Sequence, residues 1–527
     1  MDLTRREAAT LSVATLLATA AGARAAEPDT LVSGDNLPQN LDPHQIFDVP
    51  MQGYALNTYD TLYRYEGNPP QLLPWLASGH TTSADGMTWE FKLRPGCKFH
   101  DGSAITADDV VYSFHRLLAL GKAPAGAFLP VLKPAGVTAP DAATVRFKLE
   151  RAYAPFLAAI PLVSIVNPRV LHAHEKAGDW AAAWLASNEA GSGAYVLNAS
   201  TYMPLQRVDL TRFQAHFMGW KDNPHPVRAV AYRPTKETST RVLALMQGSI
   251  DWTDSYLPVD DVAQVDHSKI AHVQKDQDMR VFLIRMNNTK PPFNNENARK
   301  GFAHAFDYHG FIRDILKNYA QRDPTPMPNT LWGFPKDVKG YDFDLKKAKM
   351  YFDKARSEGA PLHAPVHIHI QEALEQTTQA AQLYQSTLAS VGINMKIVND
   401  TWANLTTNTA KPETTPEMWV HWVSTYFVDP ENWVGQMYDS QFHGTWKASC
   451  WYKNPKVDAL LRKARTTIGQ PARTPLYEEA TRLIVADSPD IWVYNTVDLR
   501  GVNNRVKGFR YCPVGSGTEV RWVRLEA

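Results

Sequence analysis

Long hydrophobic runs are scarce in this 527-residue chain. Beyond the N-terminus no stretch approaches the ~20 strongly apolar residues of a membrane-spanning helix, so a soluble product is expected. Net charge is missing too: 55 Lys and Arg face 54 Asp and Glu, without basic runs. That balance argues against nucleic acid or an anionic membrane surface as a partner. Only three cysteines are present, Cys97, Cys450 and Cys512, which allow at most one internal disulfide and match no zinc spacing. The chain also lacks a Gly-x-Ser-x-Gly elbow, a His-Glu-x-x-His pair and a phosphate loop. Carboxylates could be paired into a glycosidase-like secreted hydrolase, the rival reading, but 54 acidic residues make such pairs cheap. No cofactor and no resident metal are expected.

The N-terminus supplies an address. Arg5 and Arg6 precede an Ala- and Thr-rich apolar stretch, and Ala23-Arg24-Ala25 offers a small-x-small cleavage site. Residues 1–25 therefore read as an export signal of the twin-arginine kind, placing the mature chain in the periplasm. Some 500 residues exceed one compact core, and two lobes or more are expected. Strand-like and helix-like segments alternate throughout, which points to α/β architecture.

Residues 93–113 are the most informative segment. They read as a strand end, a tight turn at His100-Asp101-Gly102 and a helix capped by Thr106, with Asp108 and Asp109 in its first turn. Val110, Phe114, Leu117 and Leu118 then fall on one helical face. The same 21 residues resemble the signature of the family 5 extracellular solute-binding proteins, L-R-x-G-x-x-F-H-D-G-x-x-x-T-A-x-D-V-x-x-S. These are the peptide- and nickel-type receptors of ABC importers. The resemblance continues through Asn40–His44 (NLDPH), Tyr59–Tyr63 (YDTLY), Gly191–Tyr195 (GSGAY), Arg241–Asp251 and Asn287–Asp307, almost the whole mature chain. One departure is Tyr308, where the family commonly has Arg.

The resemblance implies a bilobal periplasmic binding fold (class II-like, cluster C) with mixed sheets. Residues 26–275 form the first lobe, with an inserted subdomain near residues 57–185. Residues 276–494 form the second lobe, and residues 495–527 return to the first. Crossings near Gln274–Met279 and Tyr494–Asp498 act as a hinge. The second half has its own pattern: a strand at 365–370, an amphipathic helix at 377–391 ending at Gly392, and a strand at 393–398. Together they read as a parallel crossover unit.

Six of the fifteen tryptophans crowd into 50 residues: Trp402, Trp419, Trp422, Trp433, Trp446 and Trp451. If residues 418–423 form a strand, Trp419 and His421 share one face while Trp422 takes the other, so some rings face a cleft. Trp402, Trp419, Trp422, Tyr426, Asp429, Trp433, Trp446 and Tyr494 are the expected ligand-binding residues. By resemblance, the family's acidic clamp for a peptide amine falls at Thr425 or Tyr426, and an upstream Arg at Trp419. The aromatic wall is kept while those charges are gone, and Asp429 is the candidate substitute. A peptide, a peptide-like compound or another small organic solute (a glycan, an opine, an aromatic acid) fits such a wall. His363, His367 and His369 share strand parity, which keeps a nickel or metal-chelate receptor open as an alternative. The expected partners are that solute and an ABC permease–ATPase complex, with the receptor a monomer.

Overall fold

The computed structural model describes residues 29–526 apart from 47, 236, 372–373 and 518, so the expected export segment lies outside the described residues. An eleven-stranded mixed sheet organises the chain. Its order runs Met395–Asp400, Val366–Gln371, Met418–Val423, Ala271–Met286, Asp490–Asn503, Trp252–Thr253, Thr30–Gly34, Ala229–Tyr232, Val208–Arg212 and Tyr195–Leu197, with Ala320–Arg322 also pairing to Asp490–Asn503.

Two long strands join the halves. Ala271–Met286 and Asp490–Asn503 pair antiparallel from Ala271 opposite Asn503 to Arg285 opposite Asp490. Runs such as VFLIRM and IWVYN are apolar on both faces, as strands covered on two sides must be. At one end Trp252 pairs with Val502, tying the pair to the first-lobe strands. At the other, residues 281–286 pair with Met418–Val423, which leads into the second lobe.

The ladder loses register between Gln277 and Val281, inside the expected crossing. Asp278 and Arg280 sit in that break. The Arg280 guanidinium bonds Asp278 and reaches Asp498 at 3.1 Å, with its centre 4.9 Å from the Tyr256 ring.

The residues of the opening motif fold as their pattern demands. Thr88–Leu93 belongs to a four-stranded antiparallel sheet, in the order Ala77–Thr82, Thr88–Leu93, Thr144–Lys148, Val137–Asp141. Gly102 takes φ +86° in the turn, and its N–H donates to the Phe99 carbonyl at 2.9 Å. The helix Ala107–Leu120 then begins with Asp109 Oδ2 accepting from the Thr106 N–H at 2.7 Å and the Thr106 hydroxyl at 3.0 Å. Val110, Phe114, Leu117 and Leu118 are all buried against this sheet.

A shared polar knot explains why the scattered motifs occur together. The Gly191 and Gly193 positions press on the backbone of Asn57 and Thr58, where a Cβ would come within 2.0 Å and 2.5 Å. Only glycine fits so close an approach. His100 lies alongside, with Nδ1 2.7 Å from Glu189 Oε1 and Nε2 2.9 Å from the Gly193 carbonyl. Asp60 accepts from the Trp75 indole at 2.7 Å and the Ser192 hydroxyl at 2.8 Å. Asp251 likewise binds Arg505 at 2.6 Å, stitching the returning tail to the first lobe.

Burial alone lowers the His100 imidazole, but the Glu189 carboxylate outweighs it and the group is held above its ordinary value. A raised histidine contributes stability in full below about pH 6.5 and loses it as pH climbs through the folded value. The variant H100Q is expected to lose about 1–3 kcal/mol at pH 5.5. Urea titrations of both proteins should converge on the alkaline side; a gap constant from pH 5 to 9 contradicts the charged pair.

The crossover unit matches expectation closely. Val366–Gln371 and Met395–Asp400 pair parallel, joined by the helix Glu375–Ser390 with Ala380, Tyr384 and Leu388 buried. Gly392 takes φ +76°. Tyr308, where the resemblance called for Arg, is buried with the Arg322 guanidinium 4.0 Å above its ring. All three cysteines are thiols, each raised to about 12 by burial.

Candidate functional site: the aromatic interlobe face

Met418–Val423 carries most of the expected residues, and its two faces do diverge. Trp419 stacks on His421 with ring centroids 4.0 Å apart and planes 7° apart. Trp422, on the opposite face, meets Phe282 edge-on at 4.8 Å and Tyr256 of the first lobe at 5.8 Å. Every residue of the strand is buried.

Trp402 begins the helix Trp402–Asn408, capped by the Thr401 hydroxyl. Its ring lies 6.1 Å from Trp419 and 5.3 Å from Trp446. Trp446 continues the chain of rings to His421 at 5.9 Å and Tyr426 at 6.2 Å. Tyr426 and Phe427 in turn pack into the core of the inserted first-lobe subdomain, and the Val428 N–H donates to Tyr65 Oη at 3.1 Å. The structure thus assembles Trp402, Trp419, Trp446 and Tyr426 into one aromatic run reaching the other lobe, with Trp422 beside it.

The remaining three expected residues lie off this run, with Tyr494 sharing the Phe282 ring with Trp422. Trp433 is wholly buried in the second-lobe core. Tyr494 stacks on Phe282 at 4.7 Å and donates to Gln376 Oε1 at 2.8 Å. Both Asp429 oxygens are held by Arg473 at 2.7 Å, and Oδ1 also caps the turn at Glu431. His367 and His369 each hold a separate carboxylate, Glu417 at 3.2 Å and Asp400 at 3.0 Å.

Three neighbours of these rings were not among the expected ligand-binding residues. His421 is fully buried, and among the described residues neither ring nitrogen has a hydrogen-bond partner. Burial and the nearby Arg285 keep it neutral, far below its ordinary value. Lys447 is drawn inward to Asn432 Oδ1 and Gln436 Oε1, both at 2.7 Å, and burial lowers it to about 7. Its Nζ lies 4.9 Å from the Tyr426 ring centre. Tyr256 has no motif around it.

On the first lobe the helix Val49–Thr58 separates two cavities. One is lined by Met51, Gln52, Tyr59, Arg64 and Tyr65, with Tyr426 from the second lobe closing it. The other is lined by Asp35, Tyr54, Tyr232, Asp254 and Tyr256. Asp35 and Asp254 are matched by Arg500 at 2.8 Å and Arg241 at 3.3 Å. Such a lining of aromatic rings and paired charges is suited to gripping a small solute.

Comparison with known proteins agrees with this architecture. A D,D-dipeptide-binding periplasmic protein of Escherichia coli, DdpA (a probable assignment), is 31% identical over 500 residues, 93% of each chain. The structure of DppA from Helicobacter pylori in complex with the peptide STSA superposes with a TM-score of 0.84 at 25% identity, over 94% of this chain and 98% of that one. The dipeptide-binding protein of a Pseudoalteromonas species in complex with Met-Leu gives 0.83 at 20% identity, over 94% and 100%. The profile of the bacterial extracellular solute-binding proteins, family 5 (middle region), matches residues 71–444. A bilobal scaffold hinged on two shared strands, carrying that profile, makes this chain a member of family 5 of the extracellular solute-binding proteins, the non-enzymatic receptors of ABC importers.

Proposed function

We propose that the chain captures a peptide-like small organic solute between its lobes in the periplasm and hands it, as a monomer, to an ABC permease–ATPase complex. The observation that carries this reading is the meeting of aromatic surfaces from both lobes, Trp422 against Tyr256 and Tyr426 against the first-lobe core. These surfaces flank the break in the two shared strands. A register break concentrates bending where few backbone bonds resist it, so the lobes swing about Asp278–Arg280. The solute biases that motion only through its preference for the closed form. The twin-arginine address of residues 1–25 belongs to the same proposal.

Relatives named for D,D-dipeptides and dipeptides set the first probes: dipeptides of both hands, followed by opines and aromatic acids. Binding is expected to change tryptophan fluorescence and contract the scattering profile while leaving the probe chemically intact. Truncating Trp422 to alanine is expected to weaken binding at least ~30-fold, since buried aromatic anchors dominate such sites. Unchanged affinity in that variant removes Trp422 from the site. An unchanged scattering profile on saturation removes the closing motion.

A further inference from the structure

Resting on the receptor reading above, we infer that the first-lobe cavity closed by Tyr426 receives a short, uncharged amide group of the solute. The cavity measures about 80 Å³. That is roughly half of the ~150 Å³ that admits benzene, so a group of about four heavy atoms fits and a phenyl ring does not.

The lining decides the chemistry. Gln52, Ala55 and Leu56 border the cavity from the helix Val49–Thr58, at the i, i+3, i+4 spacing of one helical face. Arg64 borders it from the strand Tyr63–Glu66. The Arg64 side chain is 6% exposed, and its Nη2 is fixed by the Leu56 carbonyl at 2.8 Å and Glu519 at 3.1 Å. Among the described residues the buried Arg64 Nε–H has no acceptor, and the buried Gln52 Oε1 has no donor. Tyr65, by contrast, engages its hydroxyl with the Ala158 carbonyl at 3.0 Å and the Val428 N–H at 3.1 Å. A buried polar atom without a partner costs free energy, which a ligand group recovers by pairing with it. An amide matches both atoms, its carbonyl accepting from Arg64 Nε and its N–H donating to Gln52 Oε1. A carboxylate matches less well: it has no proton for Gln52, and Glu519 already balances the guanidinium. A hydrocarbon of the same size pairs with neither.

Dipeptides carrying Asn, Asp, Leu or Phe at either position are titrated by fluorescence against wild type, Q52L and A55L. The Asn, Asp and Leu side chains have equal numbers of heavy atoms, so their comparison separates hydrogen bonding and charge from size. The wild type is expected to bind the Asn dipeptide at least ~10-fold more tightly than its three counterparts at one of the positions. Q52L removes the acceptor and A55L fills the cavity, and both are expected to lose that preference. Melting curves show which variants are folded, and either one suffices for the test. Asp, Leu or Phe dipeptides bound by wild type as tightly as the Asn dipeptides overturn the amide pocket and leave the receptor reading standing. A preference that survives in a folded variant does the same. Failure of every probe to bind the wild type, opines and aromatic acids included, overturns both.

Discussion

Replacing Asp429 with alanine is expected to destabilise the protein by roughly 3–5 kcal/mol while leaving solute affinity of the folded protein unchanged. Its carboxylate grips Arg473 through two bonds of 2.7 Å, and Arg473 also donates to the Tyr477 hydroxyl at 3.2 Å. Tyr477 donates to Glu431, which binds Arg465 at 2.8 Å, and Arg465 reaches Asp439 at 2.9 Å. Every member is buried. Removing one anion strands a guanidinium where water cannot reach it, and the penalty is that of an unpaired buried charge rather than of one lost bond. Urea unfolding followed by fluorescence gives the stability, and titration of the same sample gives the affinity. Lost affinity at normal stability is the contrary result; it puts the carboxylate in the cleft.

The second large effect has the opposite sign. Asp323 is wholly buried, with Oδ1 accepting from Thr325 N–H at 2.9 Å and the Thr325 hydroxyl at 3.2 Å, and burial pushes its carboxyl up to about 7. Arg322 and the Thr325 bonds offset only part of that rise. Because the folded value lies above the unfolded one, the protonated acid is favoured in the native state. Stability is then highest below about pH 4 and falls as pH rises toward 7. The variant D323N removes the ionisation, and its gain is expected to grow across that range to at most about 4 kcal/mol at pH 8. Melting curves at pH 4 and pH 8 decide it. A variant destabilised equally at both contradicts the assignment.

Much of the architecture was legible because the determinants are local. A capping pair, a left-handed glycine and an apolar face at helical spacing define Ala107–Leu120 without reference to the rest of the chain. The parallel pair around Glu375–Ser390 was legible for the same reason. The site was less so. Strand alternation separated Trp419 from Trp422 correctly, but it cannot say which face meets a cleft when both faces are covered. Trp433 and Trp402 look alike in sequence, and only packing sends one to the core and the other to the interlobe run. Asp429 was a candidate because it could replace the acidic clamp that the resemblance implies and the chain lacks; its partner Arg473 lies 44 residues away, a distance no motif spans.

The polypeptide departs from the first lobe once, along Ala271–Met286, and comes back once, along Asp490–Asn503, with the two passages side by side. The residues between the two passages are therefore one unbroken stretch whose ends are held side by side, while the rest of the sheet draws on chain from before and after them.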